Sequence, residues 1–152
     1  RSRAGPGGSL TKRPICYDAA VSQATDEALG ALSGIAATNR GLSLLVLFGS
    51  RARRDSREGS DWDLGYLAGP EMDPSALLLG VVTALGTDRV DLVDLARAGA
   101  QVRFRAAAEG RVVYAAAEGA FERFWLEAVS FWCDAEPVIR MGYADVLTRL
   151  SP

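Results

Sequence analysis

Residues 44–67, LLVLFGSRARRDSREGSDWDLGYL, constrain this chain more than any other stretch. The apolar run from Leu44 to Phe48 has the length and branching of a buried strand and is cut by Gly49-Ser50. Backbone amides and a hydroxyl at that turn are free to meet an anion. After ten intervening residues come Asp61-Trp62-Asp63-Leu64. In an extended strand alternate side chains share a face, so the two carboxylates point the same way, roughly 7 Å apart along the backbone. Like charges so placed repel, and burying them unpaired is costly, so a compensating cation is expected. Mg2+ is the natural candidate, because it is usually held by one or two carboxylates together with substrate phosphates.

Composition removes most competing chemistries. The 152 residues contain no histidine, which excludes serine triads, Cys-His pairs and zinc sites built on imidazole. Lys12 is the only lysine, so no Walker-type Gly-Lys-Ser/Thr phosphate loop exists. Carboxylates remain as the catalytic groups. The net charge of -2 offers no basic field for gripping long nucleic acids. No apolar stretch approaches the roughly 20 residues that span a bilayer. Cys16 and Cys133 fit no CxxC motif or disulfide framework and read as reduced packing residues of a soluble, cytoplasmic protein.

The chain reads as α/β, of the α+β type. RSRAGPGGS at the start is expected to be a disordered tail or upstream remnant, and residues 11–152 a single domain. Spacing of Val21, Ala24, Ala28, Leu32 and Ile35 predicts a helix over 17–39, capped by Asp18 and ended by Gly41. A strand over 43–48 follows, then a short arginine-rich helix over 50–57 whose N-terminus would attract phosphate. A second strand over 62–68 precedes a helix from Asp73-Pro74 to Leu85, with Leu77, Leu78, Val81, Val82 and Leu85 as its buried face. RVDLVDL, 89–95, reads as a third strand. If it lies beside the second, Asp91 shares a face with Val93 and Leu95, while Asp94 lies opposite with Val90 and Leu92.

A helix over 101–109 and a strand over 112–114 come next. Phe121, Phe124, Trp125, Ala128, Val129 and Trp132 then form the strongest helical stripe in the chain. Such a stripe is expected to pack on the open face of the sheet, with any exposed remainder marking a partner surface. Pro137 is expected to interrupt the helix before a last short one over 138–150.

Gly-Ser, ten residues, Asp-x-Asp and then VDLVDL together resemble the minimal nucleotidyltransferases of the DNA polymerase beta superfamily. The similarity covers about residues 42–114, taken as the catalytic core, with helices over 116–150 beyond. Phe48 to Leu64 is most similar to the FGSRARG-D-x-R-x-x-SD-x-DL segment of MntA-like antitoxins. The resemblance implies a nucleotidyltransferase fold with a small mixed sheet flanked by helices and a C-terminal helical tail. It also implies ATP as donor, two Mg2+ ions, and transfer of AMP to a hydroxyl of a HEPN-type toxin ribonuclease, which is thereby neutralised. By the same resemblance Asp61, Asp63 and Asp91 are the catalytic, metal-binding carboxylates, and Gly49, Ser50, Arg51 and Arg53 hold the triphosphate. Asp94 is the other candidate for the third carboxylate; strand parity and the family pattern favour Asp91. The chain departs from the pattern at Arg54, where glycine is usual, and at Gly65, where alanine or a branched residue is common. Two other functions share these motifs: an aminoglycoside-type small-molecule nucleotidyltransferase, and an antitoxin that acts by binding alone.

Overall fold

The computed structural model describes residues 19–150, and side chains over 23–142. Elements follow in the order α1 (Ala19–Thr38), β1 (Leu42–Phe48), α2 (Gly49–Arg53), β2 (Trp62–Ala68), α3 (Pro74–Leu85), β3 (Val90–Asp94), α4 (Ala100–Glu109), β4 (Arg111–Ala115) and α5 (Ala120–Leu150). Four strands form one mixed sheet in the order β3-β2-β1-β4. β1 is antiparallel to both its neighbours, whereas β2 and β3 run parallel. A parallel pair needs a crossover, which α3 supplies. The α/β architecture expected from sequence is therefore the one observed.

β1 is apolar on both faces because it is covered on both. Leu45 and Leu47 join Trp62, Leu64 and Tyr66 of β2 in a core against α1 and α3, centred on Leu32, Leu77 and Val81. Leu44, Val46 and Phe48 join Ala106 of α4, Phe124 and Ala128 of α5, and Leu95 in a second core on the other side. Each fully buried leucine or valine contributes on the order of 1.5–3 kcal/mol relative to exposure. A one-residue slip of β2 would turn Asp63 into the first core and Leu64 out of it, so packing fixes the register that the site depends on.

Asp73 caps α3 by accepting a hydrogen bond from the Ser75 backbone N–H at 2.9 Å. Of the face expected to be buried, Leu77 and Val81 are fully covered but Leu78 is 37% exposed. The i, i+4 pair points at the sheet, and Leu78 is turned about 100° away from it. Asp18, read as the cap of α1, and Cys16 lie outside the described residues.

Three further expectations are corrected. The helix expected over 50–57 ends at Arg53, because Arg54 takes the left-handed conformation (φ 62°) and donates its N–H to Arg51 and Ser50 carbonyls. The break expected at Pro137 does not occur: α5 is one helix with Pro137 inside it. Proline removes a single backbone bond, and the helical pattern on either side carries the chain through. Cys133 is a free, exposed thiol and not a packing residue; Asp134, Pro137 and Val138 around it are exposed as well.

The aromatic stripe divides. Phe124 is buried against the sheet, and Trp132 stacks on Phe104 of α4 with ring centroids 5.2 Å apart. Trp125, Leu126 and Phe131 of α5 remain 43%, 60% and 42% exposed, on different sides of the helix. Among the described residues no helix is long and apolar enough to cross a membrane.

Candidate active site

The end of β1, the start of β2 and the start of β3 meet at one edge of the second face. Phe48 pairs with Asp63, and Asp63 pairs in turn with Asp91 across the parallel strands. Because paired residues in a sheet project to the same side, Asp63 and Asp91 share a face, with Gly65, Val93 and Leu95 continuing it. Asp94 falls on the opposite side of β3, where it closes a turn by accepting from the Ala96 backbone N–H at 2.9 Å. Of the two candidates for the third carboxylate, the structure brings Asp91 beside Asp63 and leaves Asp94 away from it.

Asp63 is half-buried, whereas Asp61 and Asp91 are exposed. Burial pushes the Asp63 carboxyl above the usual carboxylate range, and repulsion from Asp91 and then Asp61 adds to it, against opposing pulls from Arg105 and Arg53. A carboxylate flanked by two others is thus costly to ionise without a cation.

Gly49 makes this arrangement feasible. It has φ of +71°, and a β-carbon there would meet Asp63 Oδ2 at 2.0 Å. Only glycine allows both the turn and the carboxylate lying over it. Phe48, at the N-cap of α2, makes no side-chain capping bond, so no side chain of that residue covers the first amides of Gly49 and Ser50. Ser50 is partly exposed beside them.

The arginines are placed in a way the sequence did not reveal. Arg51 donates from Nε and Nη2 to the Ser60 carbonyl at 3.2 and 2.7 Å, and its guanidinium lies 4.3 Å from the centre of the Trp62 ring. It pins the loop that delivers Asp61 into β2, assisted by Arg89, which donates to the Gly59 carbonyl. Arg53 donates to Asp55 at 3.1 Å and to Glu109 of α4 at 2.7 Å. Arg105, not singled out in the sequence, is the further cation whose charge acts on Asp63. No local pattern marks it, since α4 reaches the site only through tertiary packing.

The donor set suits a hard divalent cation: oxygens alone, and a carboxyl whose ionisation a cation would favour. Among the described residues no three His, Cys, Asp or Glu side chains are gathered tightly enough to hold an ion by themselves.

The profile of the family described as polymerase beta, nucleotidyltransferase, matches residues 31–119. Among curated proteins the chain is similar to the protein adenylyltransferase MntA of Aphanizomenon flos-aquae (strain 2012/KM1/D3), being 30% identical over 95 residues, 55% of this chain and 63% of that protein. It therefore spans just under two thirds of that relative. Among solved structures, one of a toxin-antitoxin with AMP-PNP superposes with a TM-score of 0.68 at 24% identity, covering 78% of this chain and 98% of the other. A second, of the tri-AMPylated Shewanella oneidensis HEPN toxin in complex with MNT antitoxin, gives 0.60 at 22% identity, covering 84% and 98%. At these identities the two structures establish the fold.

Proposed function

The chain belongs to the polymerase beta family of nucleotidyltransferases, and on that premise we propose that it is a protein adenylyltransferase, an antitoxin that transfers AMP from ATP, with Mg2+, to a hydroxyl of a HEPN-type toxin. The observation that carries this reading is the in-register pair Asp63 and Asp91, facing the same side beside Gly49. Similarity to an adenylyltransferase supports the donor and the acceptor class.

In this mechanism Asp61 and Asp63 would hold Mg2+, with Asp91 standing beside Asp63. Bound there, the metal would supply positive charge to offset that of the reacting phosphates. The amides of Gly49 and Ser50 receive the triphosphate. The acceptor oxygen forms a bond to the α-phosphorus as the bond to the bridging oxygen breaks, and the pair leaves with pyrophosphate. Asp91, exposed at the strand edge, takes the proton of the acceptor hydroxyl. Arg51 acts at one remove by fixing the loop before Asp61.

A protein acceptor is favoured by two features. Asp61 and Asp91 are open to solvent, and Trp125, Leu126 and Phe131 leave apolar side chains exposed on the same helix that buries Phe124. Exposed aromatic side chains are enriched at contact surfaces.

Incubation with labelled ATP, Mg2+ and a HEPN-type toxin tests the reading. Label passes to the toxin with wild type and not with Asp63→Asn. Toxin silencing by an Asp61→Ala, Asp63→Ala double variant, with no label transferred, would show that binding alone suffices.

A further inference from the structure

Three arginines surround the carboxylates, and two already have partners. Arg51 is committed to the Ser60 carbonyl and the Trp62 ring, and Arg53 to Asp55 and Glu109. Arg105 is exposed, and among the described residues no hydrogen bond or ion pair engages it.

Its position follows from how α4 is seated. Val102 and Ala106 turn into the core that contains Phe48, the strand partner of Asp63. Arg103 and Phe104 face α5, meeting Glu127 and Trp132. Glu109 reaches across to Arg53 of α2. Arg105 precedes Glu109 by four residues, so both lie on the same side of the helix. That side looks toward α2 and the turn at Gly49, which carries Asp63 against it. The guanidinium charge of Arg105 acts on Asp63 and opposes the repulsion from its neighbours.

We infer that Arg105 contacts the β- and γ-phosphates of the nucleoside triphosphate bound beside Asp63 and stays with the departing pyrophosphate. The inference rests on the nucleotidyltransferase reading and adds a substrate-binding residue to it. A planar guanidinium matches phosphate oxygens with two parallel donors. Negative charge accumulates on the bridging oxygen as its bond to the α-phosphorus breaks, and a fixed cation there stabilises the leaving group. Arg105 remains protonated throughout and moves no proton. Arg53 cannot offer the same charge without first releasing Glu109.

Calorimetric titration of wild type, Arg105→Gln and Arg105→Lys with ATP and with AMP, at constant Mg2+, tests the inference. AMP lacks the two phosphates that Arg105 would hold. The Kd for ATP is expected to rise about tenfold or more in Arg105→Gln, with partial recovery in Arg105→Lys. The Kd for AMP and the melting temperature stay at wild-type values, because the side chain is exposed. Unchanged ATP affinity in Arg105→Gln overturns the inference, and so does an equal loss for ATP and AMP. Failure of the wild type to bind either nucleotide overturns the underlying reading as well, and is distinguished by appearing before any substitution is made.

Discussion

Asp63 lies so close over Gly49 that a β-carbon on the glycine would stand 2.0 Å from Oδ2 and 2.9 Å from Cγ of the carboxylate. Two penalties therefore meet in Gly49→Ala. The φ of +71° costs an L-residue about 1–2 kcal/mol. The contact is with the end of a side chain, so Asp63 can relieve it by rotating, at the expense of its position beside Asp91. Gly86→Ala separates the two effects, since Gly86 has φ of +63° with nothing within 4 Å of the added carbon. Both variants are expected to lose a similar 1–2 kcal/mol or so in urea unfolding. Only Gly49→Ala should lose label transfer to the toxin. Equal activity of the two variants would show that the position of Asp63 does not matter to the reaction.

The raised pKa of Asp63 has a signed consequence for stability. Burial first, then Asp91 and Asp61, favour its neutral form in the fold. Below the ordinary carboxylate range the group is protonated in folded and unfolded states alike, and its environment costs nothing. As pH rises from there through the raised folded value, the unfolded chain gives up its proton first and the folded state loses stability. Asp63→Asn should accordingly melt higher than wild type at neutral pH without metal, and the gap should close on acidification. Mg2+ should raise the wild-type melting temperature more than that of Asp63→Asn. A variant that melts lower than wild type at neutral pH would contradict the direction of the shift.

Much of the site was legible because it obeys a period of two. The alternation that sets Asp63 and Asp91 on one face, and Asp94 on the other, needs only the identity of the strands and their adjacency. The arginines follow no such rule. Arg53 meets Glu109 across 56 positions, a contact made by the docking of α4 on α2, and Arg51 turns back onto Ser60 because Trp62 is there to receive its flat face. Arg105 is unmarked in the sequence for the same reason. Pro137 misled in the opposite direction, since a rule about local breakage took no account of the helix on either side of it.

Arg54 stands where the family pattern has glycine, and it is the non-glycine residue with positive φ among those described. Its side chain is exposed, so little packing offsets the strain. Arg54→Gly removes that strain but gives back some unfolded-state entropy, leaving a net gain of about 0.5–1 kcal/mol. Chemical unfolding of the two proteins measures it directly. A loss of stability would mean that the Arg54 side chain makes a contribution larger than the backbone cost.

Gly65 and Leu95 form a complementary pair that accounts for the second departure from the pattern. A β-carbon on Gly65 would lie 2.8 to 2.9 Å from three atoms of the Leu95 side chain, which is fully buried and whose N–H donates to the Tyr66 carbonyl at 2.9 Å. Leu95 thus fills the space that a larger residue at 65 would occupy. Gly65→Val should cost about 1–3 kcal/mol through overpacking. Leu95→Ala should cost about 2–5 kcal/mol through the cavity it leaves. Together they should cost clearly less than the sum, because the valine enters the vacated volume. A double-mutant cycle by urea unfolding reads the coupling, expected at about 0.5–3 kcal/mol. Strict additivity would mean that the two side chains do not share that volume.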